Sequence, residues 1–471
     1  MPNIRSVTEE ELRAQRAIME ELAEENAALP AQPLAWVDTY GCQQNEADSE
    51  LIRGMLREMG YGFTDSEAEA DLIVVNTCAV RGHAELRALG NVGALSHTKR
   101  AKPGQRIVLC GCMVQQEHMR EKIRKSFPYV DLVFGTHELW RFPELIRRML
   151  EPHRGRIFEA RQIDGETYEG LPVLRTGSVR AWLPIMSGCN NFCSYCIVPY
   201  VRGRERSRSP EAILAEARQL IEGGYKEIYL LGQNVNSYGR DLGGKEDFPW
   251  LLRQIDRMDG EFVIRFMTSH PKDATEKLFD TMAACPKVER HIHLPFQAGN
   301  DRVLKEMNRG YTRKAYLELI RYARRVMPDL SITSDIIVGF PGETYEEFRD
   351  TVSLIEEVKF TSLFTFIYSP RVGTRAAAMP DPVPYSEKSR WFSELLKVQE
   401  GIAAERCAHM LGNTYEVLVE NETKEGCGML TGRTGGNINI DFPGDKLLIG
   451  TFCRVKVTGA KNWLLTGELS D

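Results

Sequence analysis

The chain has 471 residues, 42% of them hydrophobic, about three times the length of a typical domain, so two to four cored domains are expected. With 60 Lys and Arg against 66 Asp and Glu the formal charge is -6, which excludes holding a polyanion through the global field and leaves that task to local patches. Eleven cysteines in a chain this long exclude a small disulfide-stapled secreted fold and turn attention to metal or redox chemistry.

The opening, MPNIRSVTEEELRAQRAIMEELAEENAALP, is acidic, lacks an apolar h-region and reads as an amphipathic helix with Thr8 and Glu11 as a capping box. No apolar run reaches the roughly 18 residues needed to cross a bilayer, so a cytoplasmic protein without membrane contact is expected. Next come LAWVDTYGC (34–42), DLIVVNTC (71–78), QRIVLCGC (105–112) and DLVFGTH (131–137), separated by helical stretches such as 46–59 and 115–126. Apolar runs alternating with helical patterns predict a parallel α/β domain. Three of these runs end in cysteine: Cys42, Cys78 and Cys112. In a parallel sheet the C-terminal strand ends share one edge, where such folds bind ligands, so the three sulfurs are expected to converge although 36 and 34 residues separate them. The alternative for each is an ordinary buried thiol. Cys110 lies within its apolar run and reads as core; Cys285, Cys407, Cys427 and Cys453 have no partner pattern and read as structural.

Residues 151–180 show no sustained periodicity and read as a linker. A second set of apolar runs follows: AWLPIMSG (181–188), EIYLLGQN (227–234), FVIRFMTSH (262–270), HIHLPFQAG (291–299), SITSDIIVGF (331–340) and SLFTFIYSP (362–370). Six strand-helix units fall short of the eight that close a standard barrel, which predicts an open partial (β/α)6 barrel. Polar residues at its strand ends, Gln233, Asn234, Ser269, His270, Gln297, Asn300 and Asp335, are candidates for ligand contact, with turn and capping roles as the alternative. A Pro-rich stretch, 371–390, leads into a helix from about 387 to 410. The last sixty residues break into five short strands with Gly-rich turns, as in a small OB-like barrel.

Just after the first strand of the second set, SGCNNFCSYCIVPYVRGRER (187–206) places Cys189, Cys193 and Cys196 within eight positions, with no fourth Cys or His beside them. A structural zinc wants four protein ligands, whereas a 4Fe-4S cluster held by three thiolates leaves one iron open. This C-x3-C-x-aromatic-C pattern, with Tyr195 as the aromatic, resembles the radical S-adenosylmethionine (SAM) enzymes. The resemblance implies that SAM binds the open iron and that an electron from the cluster cleaves it to methionine and a 5′-deoxyadenosyl radical. It also makes Gln233, Asn234, Ser269, Gln297 and Asp335 the expected SAM contacts.

Together with TYGCQQNEADS, NTCAVR, GCMVQQE and the terminal β domain, the chain is similar to the radical SAM methylthiotransferases. The resemblance covers nearly everything after the first thirty or so residues. It implies a second 4Fe-4S cluster on Cys42, Cys78 and Cys112 that holds the sulfur to be inserted, and an RNA-binding TRAM domain around GRTGGNINIDFPG. The implied architecture is α/β: a helical extension (1–32), a parallel α/β domain (33–150), a linker (151–174), a radical SAM barrel (175–407) and a TRAM domain (408–471). LLGQNVNSYG, TSHP, HIHLPFQAGNDRVL and FIYSPRVGTRAA resemble the tRNA-modifying branch, which converts N6-isopentenyladenosine at position 37, beside the anticodon, to its 2-methylthio form. One SAM would methylate the cluster-bound sulfur and a second would supply the radical. The sister reaction on threonylcarbamoyladenosine, and a non-catalytic zinc protein that binds RNA, are the alternatives.

The implied partners are the tRNA anticodon loop, an external electron donor and a donor of sulfur or iron-sulfur clusters. Arg202, Arg204, Arg206 and Arg208 follow the cysteine loop and are expected to hold phosphates; a solvated charged face is the alternative. Residues 408–471 contain six Lys or Arg and eight Asp or Glu, a net charge of -2, so an RNA role there rests on resemblance, with Arg433, Lys456 and Lys461 as its expected contacts.

Overall fold

The computed structural model describes residues 4–80, 82–153, 155–243, 245–461 and 464–470, and at 82–84 the backbone alone. The chain forms two compact units. Unit 1 comprises residues up to Thr176 with Met186–Asn190 and Cys196–Arg208; unit 2 comprises Gly177–Ile185, Asn191–Tyr195 and the remainder from Ser209.

Unit 1 is built on a six-stranded parallel sheet. Its spatial order is Gly62–Phe63, Leu34–Thr39, Leu72–Thr77, Arg106–Gly111, Leu132–Phe134 and Ile157–Glu159. Every residue of Leu72–Thr77 is buried, as a central strand covered on both faces should be, and this is why its sequence is a continuous apolar run and not an alternation. The helix Glu9–Ala27 starts at Thr8 with the expected capping box to Glu11. It buries Leu12, Gln15, Met19 and Leu22, spaced along one helical stripe. Met19 and Leu22 join the core of the sheet face that holds Ile52, Met55, Leu139 and Phe142.

The stretch expected to be a linker is part of unit 1. Ile157–Glu159 supplies the sixth strand, and Glu166–Thr167 pairs in parallel with Arg5–Ser6. Glu166 accepts from Arg5, Arg161 and Trp140 at 2.7–3.2 Å, which ties the chain's start to this segment. Strands of two and three residues are too short to show periodicity, so the sequence reads as irregular there.

Unit 2 contains the six expected strands, Arg180–Pro184, Glu227–Leu231, Val263–Phe266, His291–His293, Ser331–Val338 and Ser362–Ile367, all parallel. They form two three-stranded runs joined by a parallel bridge between Ile264 and Val288. Helices Pro210–Glu222, Phe248–Asp256, Glu276–Ala284, Arg313–Val326 and Tyr345–Val358 fall between successive strands, and Tyr385–Met410 follows the last. Thr414–Glu422, Met429–Thr434, Asn439–Pro443, Phe452–Lys461 and Leu464–Leu469 then close a five-stranded barrel around Val417, Val419, Leu430, Ile440, Phe442, Val455 and Leu465. Asn462 and Trp463 lie outside the described residues. Among the described residues no helix is long and apolar enough to cross a membrane.

A buried ionic cluster joins the two parts of unit 2. Glu227, fully buried, takes Arg265 at 2.6 Å and Arg180 closer still; Arg180 also reaches Glu420 of the terminal barrel at 2.8 Å, and Arg265 donates to the carbonyl of Thr434 at 2.9 Å. Removing one member leaves uncompensated buried charge, so Arg265→Leu is expected to destabilise unit 2 by about 3–5 kcal/mol. Urea unfolding of the two proteins checks this, and a loss below 1 kcal/mol, roughly the worth of a surface pair, would contradict it.

Candidate functional site: thiols at two loop systems and a ring of strand ends

Cys42, Cys78 and Cys112 each follow one of three neighbouring parallel strands of unit 1. Cys42 is the residue before the helix Gln43–Glu58, and Cys112 opens the helical turn Cys112–Gln115. The strand ends are drawn together by buried amides. Asn45 Nδ2 donates to Asn76 Oδ1 (3.1 Å) and to the carbonyl of Thr77 (3.0 Å), while Asn76 Nδ2 donates to the carbonyl of Asn45 (2.9 Å) and to Ser49 (3.0 Å). Cys42 Sγ lies 3.3 Å from Asn45 Oδ1. Gly41 has φ +141°, and a Cβ there would sit 2.5 Å from Cys78 Cβ. Glycine is therefore required for the Cys42 turn to approach Cys78 this closely.

The thiols differ electrostatically. A hydrogen bond with Cys78 pulls Cys42 down to about 6, and the same bond pushes Cys78 well up; burial pushes Cys112 up to about 11 although the Arg202 guanidinium opposes it. Cys42 is exposed, while Cys78 and Cys112 are buried. Cys110, one residue before Gly111, packs in the apolar core as the sequence suggested. None of the eleven cysteines, all among the described residues, is joined in a disulfide.

Within the Cys189–Cys196 loop, Cys189 and Cys196 group with unit 1 and Cys193 with unit 2. Its shape is set by backbone bonds. Cys189 N donates to Gly203 O at 3.1 Å, and Asn190 and Glu205 exchange bonds between backbone and side chain at 3.2 Å. Gly188, at φ +84°, has no room for a Cβ, which would lie 1.9 Å from the carbonyl oxygen of Arg204. In unit 2, Asn308 Nδ2 donates to the carbonyls of Asn191 and Phe192 at 3.0 Å, and Ser194 N donates to Met307 O at 3.0 Å. Phe192 is thereby held at φ 46°, a left-handed conformation that a bulky residue keeps only under such restraint.

At the strand ends of unit 2, buried polar atoms stand without hydrogen-bond partners: Asn234 Oδ1, Asn236 Nδ2, Ser269 Oγ, His270 Nε2 and Gln297 Oε1. Each such atom costs about 1–3 kcal/mol when left unmade, and a concentration of them at one edge of a fold marks a place for a polar ligand. Asn234 Nδ2 is held by Asp273 at 2.7 Å, and Asp273 is paired in turn with Arg240 at 2.6 Å. Burial pushes His270 down to about 2, so the ring is neutral; since Nδ1 accepts from Lys272 N at 3.1 Å, Nε2 carries the proton and is an unused donor. Thr268 and Gln297 have φ of 66° and 67°. Of the residues expected from sequence, Asn234, Ser269 and Gln297 are buried, while Gln233 and Asp335 are half-buried. Asp335 Oδ1 lies 3.4 Å from His293 Nε2. Asn300 instead caps the helix Asp301–Glu306.

The expected arginine contacts need revision. Arg202 is buried, with Nε 3.0 Å from Cys112 Sγ and an ion pair to Asp48 at 2.7 Å. Arg206 is buried and donates to the carbonyls of Glu166 (2.9 Å) and Arg202 (2.7 Å). Arg433 pairs with Glu420 at 2.7 Å beside Glu227. A phosphate contact needs an accessible donor, which buried Arg202 and Arg206 do not offer, while Arg433 keeps a partly exposed side chain. Arg208 pairs with Glu169 at 2.6 Å and Arg204 lies 3.7 Å from Asp164, both with partly exposed side chains; Lys456 and Lys461 are exposed.

Comparison with known proteins matches residues 183–355 to the Radical SAM superfamily, 35–135 to the uncharacterized protein family UPF0004 and 408–470 to the TRAM domain. The tRNA-2-methylthio-N(6)-dimethylallyladenosine synthase of Thermoanaerobacter sp. (strain X514) is 47% identical over 471 residues, covering 100% of this chain and 99% of its own length. The synthase of the same name from Pelotomaculum thermopropionicum is 50% identical over 431 residues, covering 92% and 96%. The chain belongs to the family of the tRNA-2-methylthio-N(6)-dimethylallyladenosine synthases. Among solved structures, the radical S-adenosylmethionine methyltransferase TsrM from Kitasatospora setae superposes with a TM-score of 0.53 at 15% identity, over 83% of this chain and 81% of that one. At that identity the likeness speaks for the fold alone.

The synthase family makes the chain a radical SAM methylthiotransferase, with SAM and a 4Fe-4S cluster as its cofactors. The residues present fit both groups: three thiols outside any disulfide on a restrained loop, and unsatisfied buried donors and acceptors at the strand ends. Among the described residues no group of three or more His, Cys, Asp or Glu is arranged to hold a single metal ion. A single ion needs its ligands at one point, whereas a four-iron cube takes one thiolate at each of three corners. Sequence reasoning missed Asp48, Asn236 and Asp273, because each engages a partner far along the chain, Arg202, His270 and Asn234, and no local spacing signals that.

Proposed function

We propose that this protein converts N6-isopentenyladenosine at position 37 of tRNA to its 2-methylthio derivative, replacing a carbon–hydrogen bond at carbon 2 of the adenine by a carbon–sulfur bond. The observation that carries the proposal is the presence of two separate three-thiol sets in a chain that matches synthases of that name over their full length. Carbon 2 has no acidic proton, so a side-chain acid or base cannot open the bond. When bound, a 4Fe-4S cluster with SAM at its open iron supplies the electron that splits SAM and gives an adenosyl radical.

Cys189, Cys193 and Cys196 would ligate that cluster, and Cys42, Cys78 and Cys112 would hold a second one as the store of the sulfur. Asn234, Ser269 and Gln297 would bind the polar groups of SAM through the atoms they leave unpaired, with Gln233 and Asp335 beside them. Asp273 orients Asn234, which leaves Asn234 Oδ1 as the free acceptor. Lys456 and Lys461 on the exposed face of Phe452–Lys461, with Arg204 and Arg208 after the cysteine loop, would meet tRNA phosphates. An anticodon-loop base leaves its stack more readily than a base in a duplex, which suits a site that must take the adenine in. An external electron donor and a donor of sulfur or clusters complete the cycle, in the cytoplasm where tRNA is modified.

Mass analysis of tRNA nucleosides from cells with and without the gene tests the proposal. Loss of 2-methylthio-N6-isopentenyladenosine, with accumulation of its unthiolated precursor, is expected. Loss of a 2-methylthio threonylcarbamoyl nucleoside would move the substrate to the sister reaction, and unchanged nucleosides with zinc in the purified protein would overturn the enzymatic reading.

A further inference from the structure

Each unit contains one buried arginine aimed at one cysteine sulfur. In unit 1, Arg202 Nε lies 3.0 Å from Cys112 Sγ, and the same guanidinium is ion-paired with Asp48 at 2.7 Å. In unit 2, Arg309 Nη1 lies 3.4 Å from Cys193 Sγ and 3.5 Å from Tyr195 Oη, while Nη2 donates to the carbonyl of Pro295 at 2.6 Å and Nε to Tyr311 Oη at 3.3 Å. Both arginines are 5% exposed, a burial that charged side chains seldom show without a compensating partner.

Ordinary packing does not account for the placement. A thiol is a weak acceptor, and an arginine paired for stability alone would turn its fork onto a carboxylate in the two-pronged manner. Arg202 gives Asp48 one prong and spends Nε on sulfur. Arg309 has neutral groups for the rest of its described partners, so the sulfur of Cys193 is the described partner toward which its charge is directed. Groups that hydrogen-bond a metal's ligands orient them and tune the metal, and hydrogen bonds to cluster sulfurs and local charge set iron–sulfur potentials.

We propose that Arg202 is a positioning residue that donates to the Cys112 thiolate and raises the reduction potential of the cluster held there, with Asp48 fixing the guanidinium and offsetting part of its charge. Arg309 stands in the same relation to Cys193. The inference rests on the two-cluster reading above. Reduction adds negative charge to a cluster, and a donor with positive charge next to one of its sulfurs stabilises the reduced form. The opposite charge of Asp48 opposes that effect, so removing Arg202 and removing the charge of Asp48 act in opposite directions. Arg309 lacks such a carboxylate among its described partners, so its removal gives the larger downward shift.

The test is a redox titration of the anaerobically reconstituted full-length protein, followed by electron paramagnetic resonance. In a Cys189→Ala, Cys193→Ala, Cys196→Ala background, which retains only the unit 1 cluster, Arg202→Gln is expected to lower the midpoint potential, Asp48→Asn to raise it and Arg202→Lys to restore most of it. Loss of iron to a chelator is expected to be about 10- to 100-fold easier in Arg202→Gln. In the complementary background, Cys42→Ala, Cys78→Ala, Cys112→Ala, Arg309→Gln lowers the potential of the remaining cluster. If the first background holds no iron, the assignment of Cys42, Cys78 and Cys112 fails. If it holds iron and the potential is the same in all variants, or shifts alike for Arg202→Gln and Asp48→Asn, the present inference alone is overturned. Should Arg202→Gln not fold, Asp48→Asn and Arg202→Lys still decide the sign.

Discussion

Replacing Cys189, Cys193 and Cys196 together by Ala is expected to reduce SAM cleavage to the uncatalysed background and to halve the iron content, with the fold intact. The fold is expected to survive because many bonds that do not use sulfur hold the loop, although Cys193→Ala takes from the buried Arg309 its sulfur neighbour at 3.4 Å. Cys189 is held through its N–H to Gly203, Ser194 through both its N–H and its hydroxyl to the carbonyls of Met307 and Glu306, and Asn191 and Phe192 through Asn308. None of these bonds involves a thiol. The chemistry is expected to be lost, since on the proposed assignment these three thiolates are the whole protein contribution to the cluster, and the strand-end residues proposed to contact SAM have no means of reducing it. The measurements are 5′-deoxyadenosine release under reducing conditions, iron per chain, and the thermal transition. Cleavage at more than a small fraction of the wild-type rate would sink the assignment of this loop.

What was legible in the sequence follows the range of the forces involved. Cys42, Cys78 and Cys112 could be picked out because each closes an apolar run, and neighbouring parallel strands must end on one edge. The tight C-x3-C-x2-C spacing is local and could be read directly. Arg202 was legible as a charge but not as a buried partner of Cys112, because 90 residues separate the two and their meeting depends on the packing of the segment after the cysteine loop onto the sheet edge. The pairing of Arg433 with Glu420 beside Glu227 was hidden for the same reason and appears only in the fold. The sixth strand of unit 1, Ile157–Glu159, was hidden by its length, since three residues show no alternation. The strand-end polar residues were visible as candidates, but their unsatisfied atoms, which single them out for ligand contact, exist only once the chain is folded.

Replacing Cys42, Cys78 and Cys112 together by Ala is expected to separate the two halves of the reaction: 5′-deoxyadenosine release continues within a few-fold of wild type, while no 2-methylthio nucleoside forms. The separation is expected because none of the strand-end residues proposed to contact SAM lies in unit 1, and Cys189 and Cys196, which do, are left unchanged in this variant. Alanine is the right replacement at Cys78, whose Cβ already sits where a Cβ on Gly41 would collide at 2.5 Å; a branched side chain would force the turn apart, whereas Ala leaves it as it is. At Cys112 the change strands the Arg202 guanidinium without its sulfur, a cost of about 1–3 kcal/mol, so a modest fall in the unfolding temperature should accompany the loss of sulfur insertion. Iron should again drop by half, now from the other set of thiols. Asn45 and Asn76 keep the strand ends together through bonds that use no sulfur, so loss of product cannot be put down to collapse of the edge if the thermal transition remains cooperative. Methylthiolated tRNA at the wild-type level from this triple variant would show that these thiols store no sulfur, whatever else they bind.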